Sequence, residues 1–323
     1  MLNKTLAFIV VLLVSNSVNA KNANALTAPN NGMTFKQYSQ VCESLTAEIP
    51  QLDSRKGVEI PITVNGKIPL DYLPNMNCDK PSLLEESCGQ GQCIPYSRVQ
   101  LLRDDEKVQM VALFRQKFIR EPDSHQYDEI DLVVHSVTSG ATCFFQATAN
   151  SCDINSSLDG TKVPSPTAKD ADKFWNPLNK VVAAGCGNCH DNDPFYYSPY
   201  IAQVIEQVPA NPLGKYYFDI GPFSQWHKLE SVSTRGNTCT GCHRIGNTFT
   251  CSAGLDQATG AHGSQPNADK LALSYPASHW MPPDNMWTKA QWDVTYKKAV
   301  QDLKDCCGSA DEAKCIKEAI VRN

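Results

Sequence analysis

Alternation of apolar and polar residues, the pattern of half-buried strands, marks the first half of the chain. Residues Val108 to Phe114 alternate in this way, and so do Ile130, Leu132 and Val134. Thr138-Ser139-Gly140 then supplies a turn before the apolar stretch from Ala141 to Ala147. We therefore expect a β-hairpin over residues 128–147, inside a β-rich region.

The second half shows helical spacing in short pieces instead. After Ser198-Pro199, which suits the first turn of a helix, one predicted face carries Ile201, Val204, Ile205 and Val208. Thr288 is predicted to cap a longer helix that ends at Gly308, and Ser309 to begin another that reaches Val321.

A polar stretch rich in Ser, Asp, Pro and Lys separates the two patterns between Ser151 and Lys173. We place a linker there, at residues 156–172, between a β-rich domain over 21–155 and a mainly α-helical domain over 173–323. The predicted fold class is therefore α+β, and two domains suit the length of the chain.

The first residues, 1–20, predict a secretory signal peptide. Lys4 precedes an apolar run from Leu6 to Val14, and the residues up to Ala20 suit cleavage after that alanine. The run is too short to span a bilayer, and no later segment resembles a membrane span. We therefore expect a periplasmic or secreted protein with no integral membrane segment after the signal is removed.

The charge of the chain argues against two kinds of partner. The chain carries 29 basic and 34 acidic residues, and removal of Lys4 with the signal leaves 28 against 34. No basic stretch is dense enough to predict nucleic acid or an anionic membrane surface as a partner.

Fourteen cysteines are informative in a chain predicted to be exported, because an oxidising compartment lets thiols pair. Ten of them lie outside the two motifs described next, and an even number is compatible with five disulfides. Short loops favour pairing Cys88 with Cys93, Cys143 with Cys152, and Cys306 or Cys307 with Cys315, although the connectivity stays open.

The other four cysteines form two Cys-x-x-Cys-His motifs, Cys186-Gly187-Asn188-Cys189-His190 and Cys239-Thr240-Gly241-Cys242-His243. This spacing lets two thiols reach the vinyl groups of one porphyrin while the histidine turns toward the iron. Zinc binding, a redox disulfide or structural disulfides would each use the cysteine pairs but leave the histidines unexplained. The motifs therefore predict two covalently bound haem c groups, with His190 and His243 as proximal ligands.

The sixth ligand of each iron decides whether a haem is a closed electron carrier or an open reaction centre. For the second haem the best candidate is Met281, because the prolines that follow it stiffen its loop. His279 and Met286 are alternatives, and Met281 as a core filler is another reading. For the first haem only His227 suggests itself, with a surface histidine that binds no metal as the other reading, so this haem is the candidate for an open iron. Arg244 is a candidate partner for a haem propionate, or else an exposed arginine.

These residues resemble a group of secreted bacterial dihaem c-type cytochromes. The likeness runs through residues 185–204, 236–247 and the Trp-Met-Pro-Pro segment 280–283, with a weaker match at 140–146. It implies a cytochrome c-like second domain, covalent haem and export, but it carries no substrate.

We expect from all this a periplasmic or extracellular carrier that exchanges electrons with a redox protein as donor or acceptor. A haem enzyme is the alternative, either peroxidase-like or a dehydrogenase subunit, with an open iron at the first haem. A third hypothesis makes the β-rich domain a binding module that the haems connect to a respiratory chain. Of these the carrier is preferred over a catalyst.

Overall fold

The fold is taken from a computed structural model of the chain. It describes residues 32–82, 84, 88–150, 152–210, 213–258, 288–308 and 313–320. The predicted signal peptide, Met281 and its two alternatives lie outside these described residues.

A five-stranded antiparallel sheet organises the first half, with strand order β1-β2-β3-β5-β6. The strands are β1 (Val58–Glu59), β2 (Arg98–Asp104), β3 (Val108–Arg115), β5 (Glu129–Ser136) and β6 (Thr142–Thr148). Short strands β4 (Gln126–Tyr127) and β7 (Leu158–Asp159) pair separately. β5 and β6 form the expected hairpin, which confirms that prediction.

Both faces of this sheet are covered. One face packs on helix α1 (Phe35–Leu45), which begins at a capping box between Thr34 and Gln37 and places Tyr38 against Phe145. The other face carries Val111 and Val133 and meets residues that follow the first cysteine motif, including Phe195, Tyr200 and Val204. The sheet therefore packs beside the first cysteine motif.

The core beneath α1 draws on residues from both sides of the segment 156–172. Tyr38 and Phe114 lie in the same cluster as Trp175, Val181 and Phe223. A parallel bridge also links Ala141 in the hairpin region to Tyr217.

A mainly α-helical second half is not supported by the described residues. Its helices are short: α2 (Leu178–Ala184), α3 (Cys186–Cys189), α4 (Leu255–Ala258), α5 (Lys289–Trp292) and α6 (Lys298–Gly308), with 3₁₀ turns at Ile201–Gln207 and Gly221–Gln225. Of the predicted face after Pro199, Val204 and Val208 are buried, but Ile205 is 47% exposed because the backbone leaves helical geometry at Val204.

The last part of the chain gives one confirmed and one wrong prediction. Thr288 caps the helical stretch that continues through a π-helical turn, Asp293–Lys297, to Gly308. Beyond it, the predicted helix from Ser309 to Val321 is wrong, because strand β9 (Cys315–Ala319) pairs antiparallel with β8 (Glu230–Thr234). This pairing holds the segment extended by backbone hydrogen bonds that a local helical pattern does not reveal.

Ten cysteines form five disulfides, as their even number suggested. They are Cys42–Cys143, Cys78–Cys93, Cys88–Cys152, Cys251–Cys307 and Cys306–Cys315. The pairing of Cys306 with Cys315 is confirmed, whereas Cys88 with Cys93 and Cys143 with Cys152 are wrong. Such bridges form and persist in oxidising compartments outside the cytoplasm.

None of the helices in the described part of the chain combines the length and apolar character needed to cross a membrane.

Candidate functional site

Both cysteine motifs form one hydrogen-bonded turn, which is helical in the first motif and an isolated turn in the second. The backbone N–H of His190 donates to the carbonyl of Cys186 at 3.0 Å, and that of His243 donates to the carbonyl of Cys239 at 3.0 Å. An i to i+4 bond of this kind places the first cysteine, the second cysteine and the histidine along one side of the turn. The four motif cysteines also lie outside the five disulfides. In both motifs the Cys-x-x-Cys-His spacing therefore coincides with a backbone turn that brings the two cysteines and the histidine to one side.

The first turn is fitted tightly into the core. Helix α2 ends where Gly185 adopts a left-handed conformation with φ of 67°, and α3 starts at the next residue. Inside α3, a Cβ atom added to Gly187 would lie 2.8 Å from Cε3 of Trp226 and 3.0 Å from Cζ of Phe218. Aromatic rings therefore pack directly on the turn, and only glycine permits this approach.

The ring of His190 is oriented by its own chain. Its Nδ1 lies 2.8 Å from the carbonyl oxygen of Pro194, to which it donates, so Nε2 is the nitrogen left with a lone pair for a metal. Burial lowers the pKa of His190 to about 4, which keeps the ring neutral at pH 7. Phe144 of strand β6 covers the ring at a centroid distance of 5.2 Å. These features suit a proximal haem ligand.

The second turn lies at the surface of the described part. Gly241, Cys242 and His243 are exposed, in contrast to the first turn. Asn237 fixes this turn, because its Oδ1 accepts from the N–H of Cys239 at 2.9 Å and its Nδ2 donates to the carbonyl of Ala299 in α6 at 2.9 Å.

A cavity of about 440 Å³ opens beside the second turn. His243 and Thr240 line it on one side, and strands β8 and β9 contribute Ser231, Ser233 and Glu318. Its volume is within the range of ligand pockets. His243 therefore borders open space on the side of the β8–β9 sheet.

The two turns are in direct contact through the residues that follow each histidine. The amide of Asn192 donates to the carbonyl of Arg244 at 2.9 Å, and the guanidinium of Arg244 donates to the carbonyl of Asn192 at 3.0 Å. Asn192 is two residues from His190, and Arg244 is adjacent to His243. Two haems on these turns would therefore be close neighbours.

Arg244 is engaged within the protein. Besides Asn192, it pairs with Asp193 at 3.2 Å and donates to the carbonyl of Gly214 at 2.7 Å. Burial raises the pKa of Asp193 to about 7, and the nearby guanidinium opposes that effect. The arginine thus holds the two turns together. The alternative of an exposed arginine is wrong, because its side chain is only 11% exposed, and a propionate partner stays a prediction.

Two histidines, the fully buried His135 and the half-buried His227, have a buried ring nitrogen with no hydrogen-bond partner among the described residues. In His227, the sequence candidate for the sixth ligand of the first haem, Nε2 is enclosed and the ring packs 5.8 Å from that of Phe218. In His135, which the sequence did not single out, Nδ1 lies 2.8 Å from Oγ1 of Thr142 and Nε2 is enclosed. Both Nε2 atoms are enclosed by protein in this arrangement, and His227 as the sixth ligand of the first haem stays a prediction.

Sequence reasoning missed two residues at the first turn, Phe144 and Asp191. Phe144 comes from a distant strand, and Asp191 is an ordinary polar residue in the sequence, so neither carries a signal in its local pattern.

Within the described ranges, no group of three or more His, Cys, Asp or Glu side chains is arranged to hold a bare metal ion.

No protein-family model, curated protein or solved structure matches this chain. The family resemblance drawn from the motifs therefore stays a prediction, and the two turns have to be interpreted from their residues and geometry.

Proposed function

We propose that this chain is a dihaem c-type cytochrome that transfers electrons outside the cytoplasm, with two covalently bound haem c groups. The observation that carries the proposal is that both Cys-x-x-Cys-His turns are closed by the same backbone hydrogen bond and contact each other through Asn192 and Arg244. A pair of disulfides would require neither the histidines nor the orientation of His190 by the carbonyl of Pro194. A zinc ion would use such a histidine, but no group of three or more His, Cys, Asp or Glu side chains in the described ranges is arranged to hold one.

A haem bound at each turn would supply one reversible iron(III)/iron(II) couple. Residues of the chain would attach the haems, ligate the irons and shield the first ligand. Cys186 and Cys189 would hold the first haem by thioether bonds, and Cys239 and Cys242 the second. His190 and His243 would ligate iron through Nε2, while Phe144 shields the first ligand from water.

Met281 remains our proposed sixth ligand for the second haem, on sequence grounds. The exposure of His243 and the cavity beside it leave room for such a ligand to approach. The Met281→Ala protein should lose the absorption band of methionine-ligated iron(III). The matched variant Met286→Ala, which replaces the alternative ligand, should keep that band. A wild-type protein with no such band would overturn the assignment.

The proposed location is the periplasm or the exterior of the cell. The N-terminal pattern over residues 1–20 and the five disulfides support export. The proposed partner is another redox protein, which acts as donor or acceptor.

Haem content tests the proposal directly. The chain is produced in cells that carry out haem c attachment, denatured, and analysed by mass and by haem spectrum. We expect two haems that survive denaturation, and one each in the double variants C186S/C189S and C239S/C242S. The C306S/C315S variant, which removes a disulfide, should keep both. A wild-type protein without covalent haem would refute the proposed function.

A haem enzyme is the second candidate, and the cavity beside His243 is the observation that favours it. The described open space is at the second turn, whereas the sequence pattern pointed to the first haem as the open one. A high-spin signal together with turnover of peroxide would support the enzyme. Two low-spin haems and no turnover would support the carrier.

A further inference from the structure

Asp191 links the first turn to the loop that follows the second turn. It directly follows His190 and is fully buried. Its carboxylate accepts four hydrogen bonds from two residues: the N–H of Thr248 at 2.8 Å and its hydroxyl at 2.9 Å, and the N–H of Thr250 at 3.2 Å and its hydroxyl at 2.9 Å. A buried carboxylate is costly unless it is satisfied in this way.

The loop that supplies these donors begins just after the second motif. Ile245 anchors it, because its carbonyl accepts from the N–H of Val232 in β8 at 2.8 Å. Gly246 then passes so close to Asp191 that a Cβ at that position would collide with the carboxylate. Residues 245–250 are therefore closed around the side chain of Asp191.

The same loop also reaches into the first motif itself. The carbonyl of Asn188, between the two cysteines of the first turn, accepts from the hydroxyl of Thr248 at 2.8 Å and from the N–H of Phe249 at 3.2 Å. The loop thus contacts the first turn both before and after His190. Rotation of one turn against the other would break several of these bonds together.

We propose that Asp191 is a positioning residue that fixes the distance and orientation between the two haems, so that an electron passes between them within one chain. This inference rests on the proposed function. The transfer oxidises one iron from iron(II) to iron(III) and reduces the other from iron(III) to iron(II), and it breaks no bond and moves no proton. Asp191 touches neither iron and acts through the two turns.

The test compares Asp191→Asn with Asp170→Asn. Asparagine keeps the shape of the side chain but cannot accept all four bonds, since its amide nitrogen only donates. Asp170 is a surface residue paired with Lys173, so its substitution serves as the matched control. Thr250→Val removes the hydroxyl that donates to Asp191 and accepts from the N–H of Gly246, and it keeps the carboxylate, so it is the second variant if D191N does not fold.

Three measurements separate the outcomes. Amide hydrogen exchange at Thr248 and Thr250 should accelerate about tenfold or more in D191N and stay unchanged in D170N. Covalent haem content and the spectrum of each haem should stay the same in both. The magnetic interaction between the two oxidised haems and the rate of electron exchange between them should fall in D191N only.

Faster amide exchange with unchanged interhaem coupling would overturn the positioning role. Unchanged amide exchange in both D191N and T250V would overturn the hydrogen-bonded clamp itself. A wild-type protein without haem would remove the proposed function and this role together, and the haem content distinguishes that failure from the other two.

Discussion

The Nδ1 atom of His190 lies 2.8 Å from the carbonyl oxygen of Pro194, four residues further along the chain. A main-chain carbonyl is a fixed acceptor, so it sets both the tautomer and the direction of the ring. His243 has the same place in its turn but lies at the surface. The two motif histidines therefore lie in different surroundings although their motifs are alike.

Replacing either proximal histidine should affect one haem only. In His190→Ala and in His243→Ala we expect both haems to stay attached through their cysteines, while the signal of one iron changes and that of the other stays, since one of two irons has lost its imidazole. The measurement is the low-temperature electron paramagnetic resonance spectrum of the oxidised protein. His125→Ala, a change of a histidine that bonds to Ser54, should leave the spectrum unchanged. Loss of both signals in one single variant would contradict independent ligation.

Gly187→Ala should destabilise the protein, because the added methyl meets the rings of Trp226 and Phe218 at 3.0 Å or less. Overpacking of this kind costs about 1–3 kcal/mol of unfolding free energy. Gly241→Ala is the matched control in the second motif, since a Cβ there has no neighbour within 4 Å. Urea unfolding of the two variants checks the difference, and equal stability would show that the aromatic rings do not pack on the first turn.

His135 should make stability depend on pH. It is fully buried, and burial lowers its pKa from 6.5 to about 4. Below pH 6.5 the unfolded chain takes up a proton that the folded chain refuses, so stability falls as the pH drops from 6.5 toward 4. The gap between the two pKa values corresponds to about 3 kcal/mol.

The variant His135→Asn isolates this effect, because asparagine can still bond to Thr142 but does not titrate. We expect the unfolding free energy of the wild type to fall by about 3 kcal/mol more than that of the variant between pH 7 and pH 4. Other buried groups are common to both proteins and cancel in the comparison. Parallel curves for the two proteins would show that His135 is not held neutral.

The disulfides should differ in their contribution to stability. Cys42–Cys143 closes a loop with a sequence separation of 101, and Cys306–Cys315 one with a separation of 9. Restriction of the unfolded chain predicts losses of about 5 kcal/mol for C42A/C143A and about 3 kcal/mol for C306A/C315A. Each of the two disulfides contains at least one buried cysteine, so both double variants remove a buried sulfur atom. A larger loss for the shorter loop would contradict this chain-entropy argument.

The sequence predicted those features that depend on neighbouring residues. The period of two found the strands of the 128–147 hairpin, and the capping residue Thr288 found the start of a helix. The local spacing of the two motifs also predicted the turns that the structure contains. In each of these cases the pattern and the structure that it forms lie within one short segment.

Features that depend on distant contacts were not predictable in the same way. Cys143 lies close to Cys152 along the chain, but in the fold it meets Cys42 from helix α1. Residues 315–319 have an unremarkable composition, and only their pairing with β8 makes them a strand. Asp191 gains its importance from its hydrogen bonds to Thr248 and Thr250, which lie 57 and 59 positions further along the chain.

The pairing of β8 with β9 also implies an order of assembly. In a chain that emerges with its amino end first, Phe144 is present before the first turn, and Phe218, Trp226 and Thr250 complete the surroundings of that turn after it has emerged. The second turn must wait for residues 315–319, because β8 has no other strand partner among the described residues. The first turn can therefore be enclosed while the second is still accessible for attachment of the proposed haem.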